Sequence, residues 1–171
     1  MRSRLIRAFN ALTPSLLCLA LVLAVGCSGK TIQYKDDHDR LLRIDKAVES
    51  LRKSYVERDR SAFDALCLPS GILDQLQRDI EGDFENFREI HLEFAMDRIL
   101  IDGDNIDVFV HWQGQWKRNS TETGTRQRGH ARLGWVGTQS ILLRDVQGDL
   151  PFGMVGRVSQ AEEPARGTPA R

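Results

Sequence analysis

The chain has 171 residues, the length of one globular domain with little room for a second. Its 28% charged and 41% hydrophobic residues are ordinary for a soluble globular protein. Basic and acidic residues balance at 24 each, but Arg2, Arg4 and Arg7 lie in an acid-free stretch of 26 residues, so the rest of the chain is mildly acidic. It lacks the clustered basic potential that binds a phosphate backbone, which argues against nucleic acid as a partner.

The first 26 residues have the three parts of a secretory signal. MRSRLIR is positively charged, residues 16–25 are an uninterrupted apolar run, and Gly26 is a small residue at the expected cut. The run is about half as long as the roughly 20 residues that cross a membrane as a helix. A core helix would show a polar face, and this run shows none. We interpret residues 1–26 as a signal peptide.

The segment LAVGC, which ends at Cys27, resembles a bacterial lipobox, in which the cysteine becomes the first mature residue and carries fatty acyl chains. Ala24 stands where that motif usually has leucine. Two or more acyl chains give a durable anchor. The resemblance implies a bacterial lipoprotein held in the cell envelope through Cys27. Ser28 is similar to the residue choice of lipoproteins sent to the outer membrane, where the domain would face the periplasm.

The remaining cysteines predict no disulfide. Cys18 would be removed with the signal peptide, and the sulfur of Cys27 would be held in a thioether. Cys67 would then be alone, and we interpret it as a small buried hydrophobic residue rather than a nucleophile.

The residues after the anchor predict a tether followed by three helices. Residues 27–39 are polar after the cysteine and lack an apolar stripe, and the aspartates at their end are expected to cap the next helix. That helix is predicted over residues 39–56, from apolar residues at three- and four-residue steps. A short helix with Ser61 as its cap follows, stopped by Pro69 and Gly71. A third helix is predicted over residues 71–87.

After residue 88 the hydrophobic period changes from 3.6 to 2, which predicts strands. DGDN, residues 102–105, is a turn between two of them. Gly114, Gly129 and Gly134 lie inside strand-like runs and predict bulges or bends. The domain is placed at residues 40–157, and residues 158–171, rich in Pro, Ala and charge, are predicted to be a disordered tail.

Helices followed by antiparallel strands with one apolar face indicate an α+β fold. The succession of ERDRSAFDALCLP, ILIDGDNIDVFV, RGHARLGWV and ILLRDVQGDLPFG is similar to the NTF2-like (SnoaL-like) superfamily. The resemblance implies a cone of about three N-terminal helices packed on a strongly curved, mostly antiparallel sheet of four to six strands, with a pocket inside.

The concave face of such a sheet is expected to collect apolar and aromatic side chains. They either line a pocket for a small apolar ligand or fill the cone. The expected residues are Tyr55, Met96, Val108, Val110, Trp112, Leu133 and Trp135, with Trp116 at the rim.

The outer face is expected to carry a basic and aromatic row: Phe109, His111, Arg128, His130 and Arg132. This row is either a solvated surface or a contact for a protein, a second copy of the chain, or an anionic lipid. Asp145 is the candidate catalytic base if it shares a face with Ile141 and Leu143, and a plain salt bridge is its other interpretation. The four histidines offer no pair with zinc-ligand spacing, and no glycine-rich phosphate loop follows a strand, so neither a metal nor a cofactor is expected.

The favoured hypothesis is an envelope lipoprotein whose domain binds a partner protein or a small apolar ligand without turning it over. The first alternative is a SnoaL-like or isomerase-type enzyme that uses a pocket carboxylate or histidine as base. The second is a structural accessory subunit that docks by the outer face of its sheet.

Overall fold

The helices of the chain precede its strands, as the sequence predicts. The structure is a computed structural model that describes residues 34–157, with side chains from residue 37. Its helices are α1 (Tyr34–Val56), α2 (Arg60–Asp64) and α3 (Asp74–Asn86). Its strands are β1 (Glu89–Asp102), β2 (Asn105–Lys117), β3 (Thr125–Val136) and β4 (Leu142–Gly148). The predicted signal peptide, Cys27 and the predicted tail lie outside the described residues.

The strands form one sheet in the order β1-β2-β3-β4, and each neighbouring pair is antiparallel. Asp102 pairs with Asn105 around the predicted turn, where Gly103 has a φ of +57° that glycine adopts without strain. The predicted α+β class, with helices first and a four-stranded antiparallel sheet, is confirmed. No helix among residues 34–157 is both long and apolar enough to cross a membrane.

Helix α1 buries four of the five residues of the predicted apolar stripe against the inner face of the sheet, and the fifth, Leu41, is 42% exposed. Ile44, Val48, Leu51 and Tyr55 are at most 3% exposed and belong to the hydrophobic core. The helix begins at Tyr34 rather than at residue 39. The predicted tether therefore overlaps the first turns of α1, and the aspartates of residues 36–39 lie within the helix instead of capping it.

The two shorter helices correct the predicted caps. The N-cap of α2 is Asp59, not Ser61, because the carboxylate of Asp59 accepts a hydrogen bond from the backbone N–H of Ala62 at 2.9 Å. Helix α3 starts at Asp74, three residues later than predicted, and buries Leu76 and Ile80. The same face of α3 also carries Asp83, an acidic side chain with no solvent exposure.

Two β-bulges change which side chains share a face of the sheet. In β1 the register shifts between Met96 and Arg98, so Asp97 is an extra residue. Between β3 and β4, Gly134 pairs with Asp145 but Trp135 pairs with Leu143, so Arg144 is extra. A bulge inserts one residue into one strand only, which reverses the alternation of faces beyond it.

The strand glycines make room for tryptophan rings on the inner face. A Cβ atom on Gly114 would collide with the ring of Trp116, and one on Gly129 would lie 3.0 Å from Cζ2 of Trp112. The two tryptophan rings meet edge to face, with centroids 6.0 Å apart. These glycines therefore allow a close approach of side chains at positions where the sequence predicted bulges or bends.

We expect Gly114→Ala to lower the free energy of unfolding by about 1–3 kcal/mol, because the added methyl group overpacks the core against Trp116. Gly82→Ala is the matched control, since a Cβ there meets nothing within 4 Å and lies in the interior of α3. That substitution should raise stability by about 1 kcal/mol. Urea denaturation of both variants measures the difference, and equal stability of Gly114→Ala and the wild type would contradict the described ring position.

Candidate functional site

The interior of the fold is filled by the side chains that were predicted to line a pocket. Six of the seven are at most 3% exposed: Tyr55, Val108, Val110, Trp112, Leu133 and Trp135. Trp116, predicted at the rim, is fully buried among them. Met96 is an exception at 38% exposure, because it lies on β1, whose outer edge carries no further strand among residues 34–157. Nε1 of Trp135 is buried without a hydrogen-bond partner among the described residues.

A buried hydrogen-bond network crosses this interior and joins four parts of the chain. The Tyr55 hydroxyl of α1 donates to Oδ2 of Asp83 in α3 at 2.7 Å. Trp116 of β2 donates its Nε1–H to the same hydroxyl at 2.9 Å. The backbone N–H groups of Gly153 and Val155 donate to the two oxygens of the Asp83 carboxylate, at 2.7 and 2.9 Å. Asp83 thus fastens the segment after β4 to the helices.

Burial also changes the acid–base properties of this network. Desolvation raises the pKa of Asp83 above its ordinary value, although the hydrogen bonds from Tyr55 and from the backbone of residues 153–155 oppose the change. Desolvation also raises the pKa of Tyr55, and the neighbouring Asp83 carboxylate adds to the effect. Neither side chain is exposed, so this acid and phenol act as a structural clamp in the described conformation.

Asp83 was not among the residues that the sequence suggested. Its position was readable, however, because Leu76, Ile80 and Asp83 recur at helical spacing and place a carboxylate within an apolar stripe. Its hydrogen-bonding partners, residues 153 and 155, lie about seventy positions away and have no sequence signal of their own.

The outer face of the sheet carries the predicted basic and aromatic row, but its members have different environments. Arg132 is held in ion pairs with Asp107 and Asp145. Phe109 lies under a guanidinium group, with Cζ of Arg98 4.3 Å from the ring centroid. Arg132 and Phe109 therefore already have interaction partners within the domain.

The other members of the row line a surface groove. His111 contacts Asp97 at 2.7 Å from Nδ1 to Oδ1, and its ring lies 6.2 Å from that of His130 on the neighbouring strand. Arg128 is exposed, and its guanidinium group has no hydrogen bond or ion pair to any other residue in the described range 37–157.

Asp145 lies on the outer face and not beside Ile141 and Leu143. The bulge at Arg144 reverses the alternation, so Leu143 is buried while Asp145 points outward. Oδ1 of Asp145 accepts from Arg132 at 2.5 Å, and Oδ2 accepts from Nε of Arg144 at 2.8 Å. The carboxylate is held by two guanidinium groups, which is the salt-bridge interpretation rather than that of a base beside an interior substrate.

Two adjoining grooves lie on this outer face where β1, β2 and β3 run side by side. The larger has a volume of about 660 Å³ and the smaller about 530 Å³. They share Glu93, Gln113 and Arg128. The larger groove adds the side chains of His91, Gln115 and Arg126, and the smaller adds His111, His130 and Asp149. Most of the residues that line each groove are polar or charged.

Cys67 does not have the properties of a nucleophile. It is 7% exposed, and its backbone lies beside Leu143 of β4. Burial, together with the nearby Asp64 carboxylate, raises the pKa of the Cys67 thiol to about 12. A thiol with that pKa stays protonated at neutral pH. Within residues 37–157, no three His, Cys, Asp or Glu side chains are placed to hold a metal ion.

Comparison with known proteins identifies the fold through structure alone. No protein-family model matches the chain, and no curated protein matches its sequence. An NTF2-like superfamily protein from Salmonella enterica superposes with a TM-score of 0.57 at 14% identity, over 64% of this chain and 89% of that chain.

Two further solved structures with this fold are named for an activity. A candidate dehydratase of the NTF2-like family from Streptomyces avermitilis gives a TM-score of 0.55 at 11% identity, over 66% of this chain and 99% of that chain. A candidate scytalone dehydratase from Novosphingobium aromaticivorans gives a TM-score of 0.55 at 11% identity, over 69% of this chain and 89% of that chain. The domain therefore has an NTF2-like fold, as predicted, and at such low identity the comparison shows the fold alone.

The raised pKa of Asp83 predicts a pH dependence of stability. Because the folded-state pKa lies above that of the unfolded chain, the folded state binds the proton more tightly. The stability that Asp83 contributes is therefore present below its ordinary pKa of 3.8 and falls as the pH rises towards its folded-state pKa. Asp83→Asn should remove this fall and, by leaving an amide group facing backbone N–H groups, cost about 1–3 kcal/mol at neutral pH.

Urea titrations from about pH 3 to pH 8 measure the free energy of unfolding of the wild type and of Asp83→Asn, and the difference between them is the contribution of Asp83. This is roughly the pH range in which a carboxyl group with a raised pKa titrates. Glu85→Gln on the same helix is the matched control, because Glu85 is exposed. A wild-type contribution that rises over this window would show that Asp83 is ionised more easily in the folded state.

Proposed function

We propose that the protein is a lipid-anchored envelope protein whose NTF2-like domain binds a partner protein through the outer face of its sheet and catalyses no reaction. The observation that carries the proposal is the contrast between the two faces. Trp112, Trp116 and Trp135 fill the inner face, whereas the outer face has adjoining grooves with unpaired polar groups. Binding sites are concave and carry a small number of convergent polar groups.

The anchor rests on the first 27 residues of the sequence. A positively charged start, an apolar run of ten residues and a lipobox-like LAVGC support processing and acylation at Cys27. Each buried methylene of an acyl chain contributes about 0.8 kcal/mol to membrane attachment. Ser28 supports retention in the outer membrane, with the domain in the periplasm.

A small apolar ligand inside the cone is less well supported than a protein partner. Such a ligand would have to displace buried aromatic rings, and the interior polar group it could satisfy is Nε1 of Trp135. The grooves on the outer face, by contrast, are lined by His, Arg, Gln and Glu side chains, which are suited to hydrogen bonds with a polar partner.

An enzyme of the dehydratase type is the alternative, suggested by two of the solved structures with this fold. Asp145 is not available as its base, because it is held by two arginines. The acid and phenol that such an enzyme would use in its interior are Asp83 and Tyr55, and both are closed off by the segment that contains Gly153 and Val155. Proximity of a buried acid to a phenol is a feature of active sites as well as of structural clamps.

If Cys27 is the anchor, exchanging its sulfur for oxygen should change where the protein is found in the cell. Cys27→Ser should release the protein from the membrane fraction of the native host, because the serine hydroxyl replaces the thiol that forms the thioether to the lipid. Mass spectrometry of the wild type should show a mature chain that begins at Cys27 and is heavier by its acyl groups. An unprocessed chain with its first methionine, found in the soluble fraction, would contradict the anchor.

The docking face predicts a position-dependent crosslink. A photoreactive amino acid at position 113, within the shared part of the grooves, should capture one defined protein in the native host, and the same residue at position 78 on α3 should not. Arg128→Glu should weaken the capture while the melting temperature stays unchanged, since Arg128 is exposed and unpaired. Arg132 is left unaltered because its ion pairs belong to the fold.

Three outcomes would contradict docking of a distinct partner. Capture of only a second copy of the chain would make the face a homodimer contact. Equal capture from positions 113 and 78 would make the contact non-specific. Turnover of a hydroxylated substrate that is lost in a folded Tyr55→Phe variant would instead establish the dehydratase-type alternative.

A further inference from the structure

The larger groove on the outer face contains two arginine side chains that have no partner in the fold. Arg126 and Arg128 lie two residues apart on β3 and point to the same side of the sheet. Across the strand pair they face Gln115 and Gln113, which carry no charge. Within residues 37–157, neither guanidinium group has a carboxylate at ion-pairing distance.

Three other cations on the sheet are paired with carboxylates, whereas Arg98 on β1 lies over the ring of Phe109. Arg132, further along β3, has carboxylates on both neighbouring strands, and Arg144 pairs with Asp145. Lys117 at the end of β2 pairs with Glu89 at 2.8 Å. Cross-strand pairs of opposite charge stabilise a sheet, and like charges side by side on one face destabilise it. The Arg126 and Arg128 positions thus lack the anion that their neighbours have.

Glu93, the acidic residue that lines the same groove, does not neutralise the two arginines. The carboxylate of Glu93 on β1 accepts a hydrogen bond from Nε2 of Gln113 at 2.6 Å, which holds it on its own side of β2. The lining of the larger groove thus has two guanidinium groups and His91 against one carboxylate that is already bound. Its charge is complementary to an anionic ligand.

We propose that this groove binds an acidic, extended peptide segment of a partner protein, with carboxylates at alternate positions paired to Arg126 and Arg128. An extended strand rises about 3.3 Å per residue, so acidic side chains two residues apart match the spacing of arginines two residues apart on β3. Guanidinium groups bind carboxylates in a bidentate fashion. The amide nitrogens of Gln113 and Gln115 already donate to Glu93 and to the carbonyl of Thr123, and their amide oxygens supply acceptors for the peptide backbone.

This inference rests on the proposed docking face, and its test needs only purified full-length protein and synthetic probes. The probes are a dye-labelled peptide of alternating threonine and glutamate and a matched peptide of alternating threonine and glutamine. Fluorescence anisotropy should give a dissociation constant at least about tenfold lower for the glutamate peptide. The difference should shrink as salt is added, because the ion pairs are exposed.

The double variant Arg126→Gln and Arg128→Gln should bind the glutamate peptide about tenfold more weakly and the glutamine peptide as before. Its melting temperature should not fall, because neither side chain has an ion-pair partner among residues 37–157 and the change removes the repulsion between two like charges. A second double variant, Lys46→Gln and Arg78→Gln, removes the same net charge from exposed positions on α1 and α3 and should bind as the wild type does.

Equal affinity for the two peptides, or an equal loss of affinity in both double variants, would overturn the inference. Binding would then not depend on Arg126 and Arg128. Inorganic phosphate that displaces the glutamate peptide at a lower concentration than unlabelled peptide would assign the groove to phosphate and overturn it as well. A partner that crosslinks at position 113 although the acidic peptide fails to bind would leave the docking face standing and overturn only the acidic chemistry.

Discussion

The fully buried carboxylate of Asp83 is the constraint around which the domain is organised. A buried carboxylate without hydrogen bonds would cost several kcal/mol, so each donor around it must be held in place. Those donors come from Tyr55 on α1 and from the backbone of Gly153 and Val155 after β4, while Trp116 on β2 orients the phenol. One side chain therefore fixes helices, sheet and the segment after β4 relative to each other.

The same packing assigns separate roles to the two faces of the sheet. Glycines at positions 114 and 129 let the indole rings of Trp116 and Trp112 approach the inner face closely, and these rings are buried there. The polar groups that could bind a partner therefore lie on the outer face. Two bulges place Asp97 and Arg144 among the charged groups there. The docking proposal follows from this division: the inner face is occupied by its own side chains and the outer face is not.

Local periodicity predicted the elements well because burial of one face imposes it directly on the sequence. The stripe of α1 and the alternation of Val108, Val110 and Trp112 were both confirmed. Asp145 forms the salt bridge that was one of its two interpretations and does not share a face with Ile141 and Leu143, because a bulge reverses parity without any residue signature in its own strand. Met96 has the alternation of an inner-face residue, but a sequence pattern does not distinguish an edge strand from a central one. Asp59 replaced Ser61 as a cap because both residue types suit that position.

The clamp on Asp83 also has a consequence for biogenesis. Gly153 and Val155 are close to the end of the described chain, yet they satisfy a carboxylate in the middle of the core. A polypeptide emerging from its N-terminus cannot complete that core until almost every residue of the domain has left the ribosome. Until then the Asp83 carboxylate lacks the backbone donors of Gly153 and Val155.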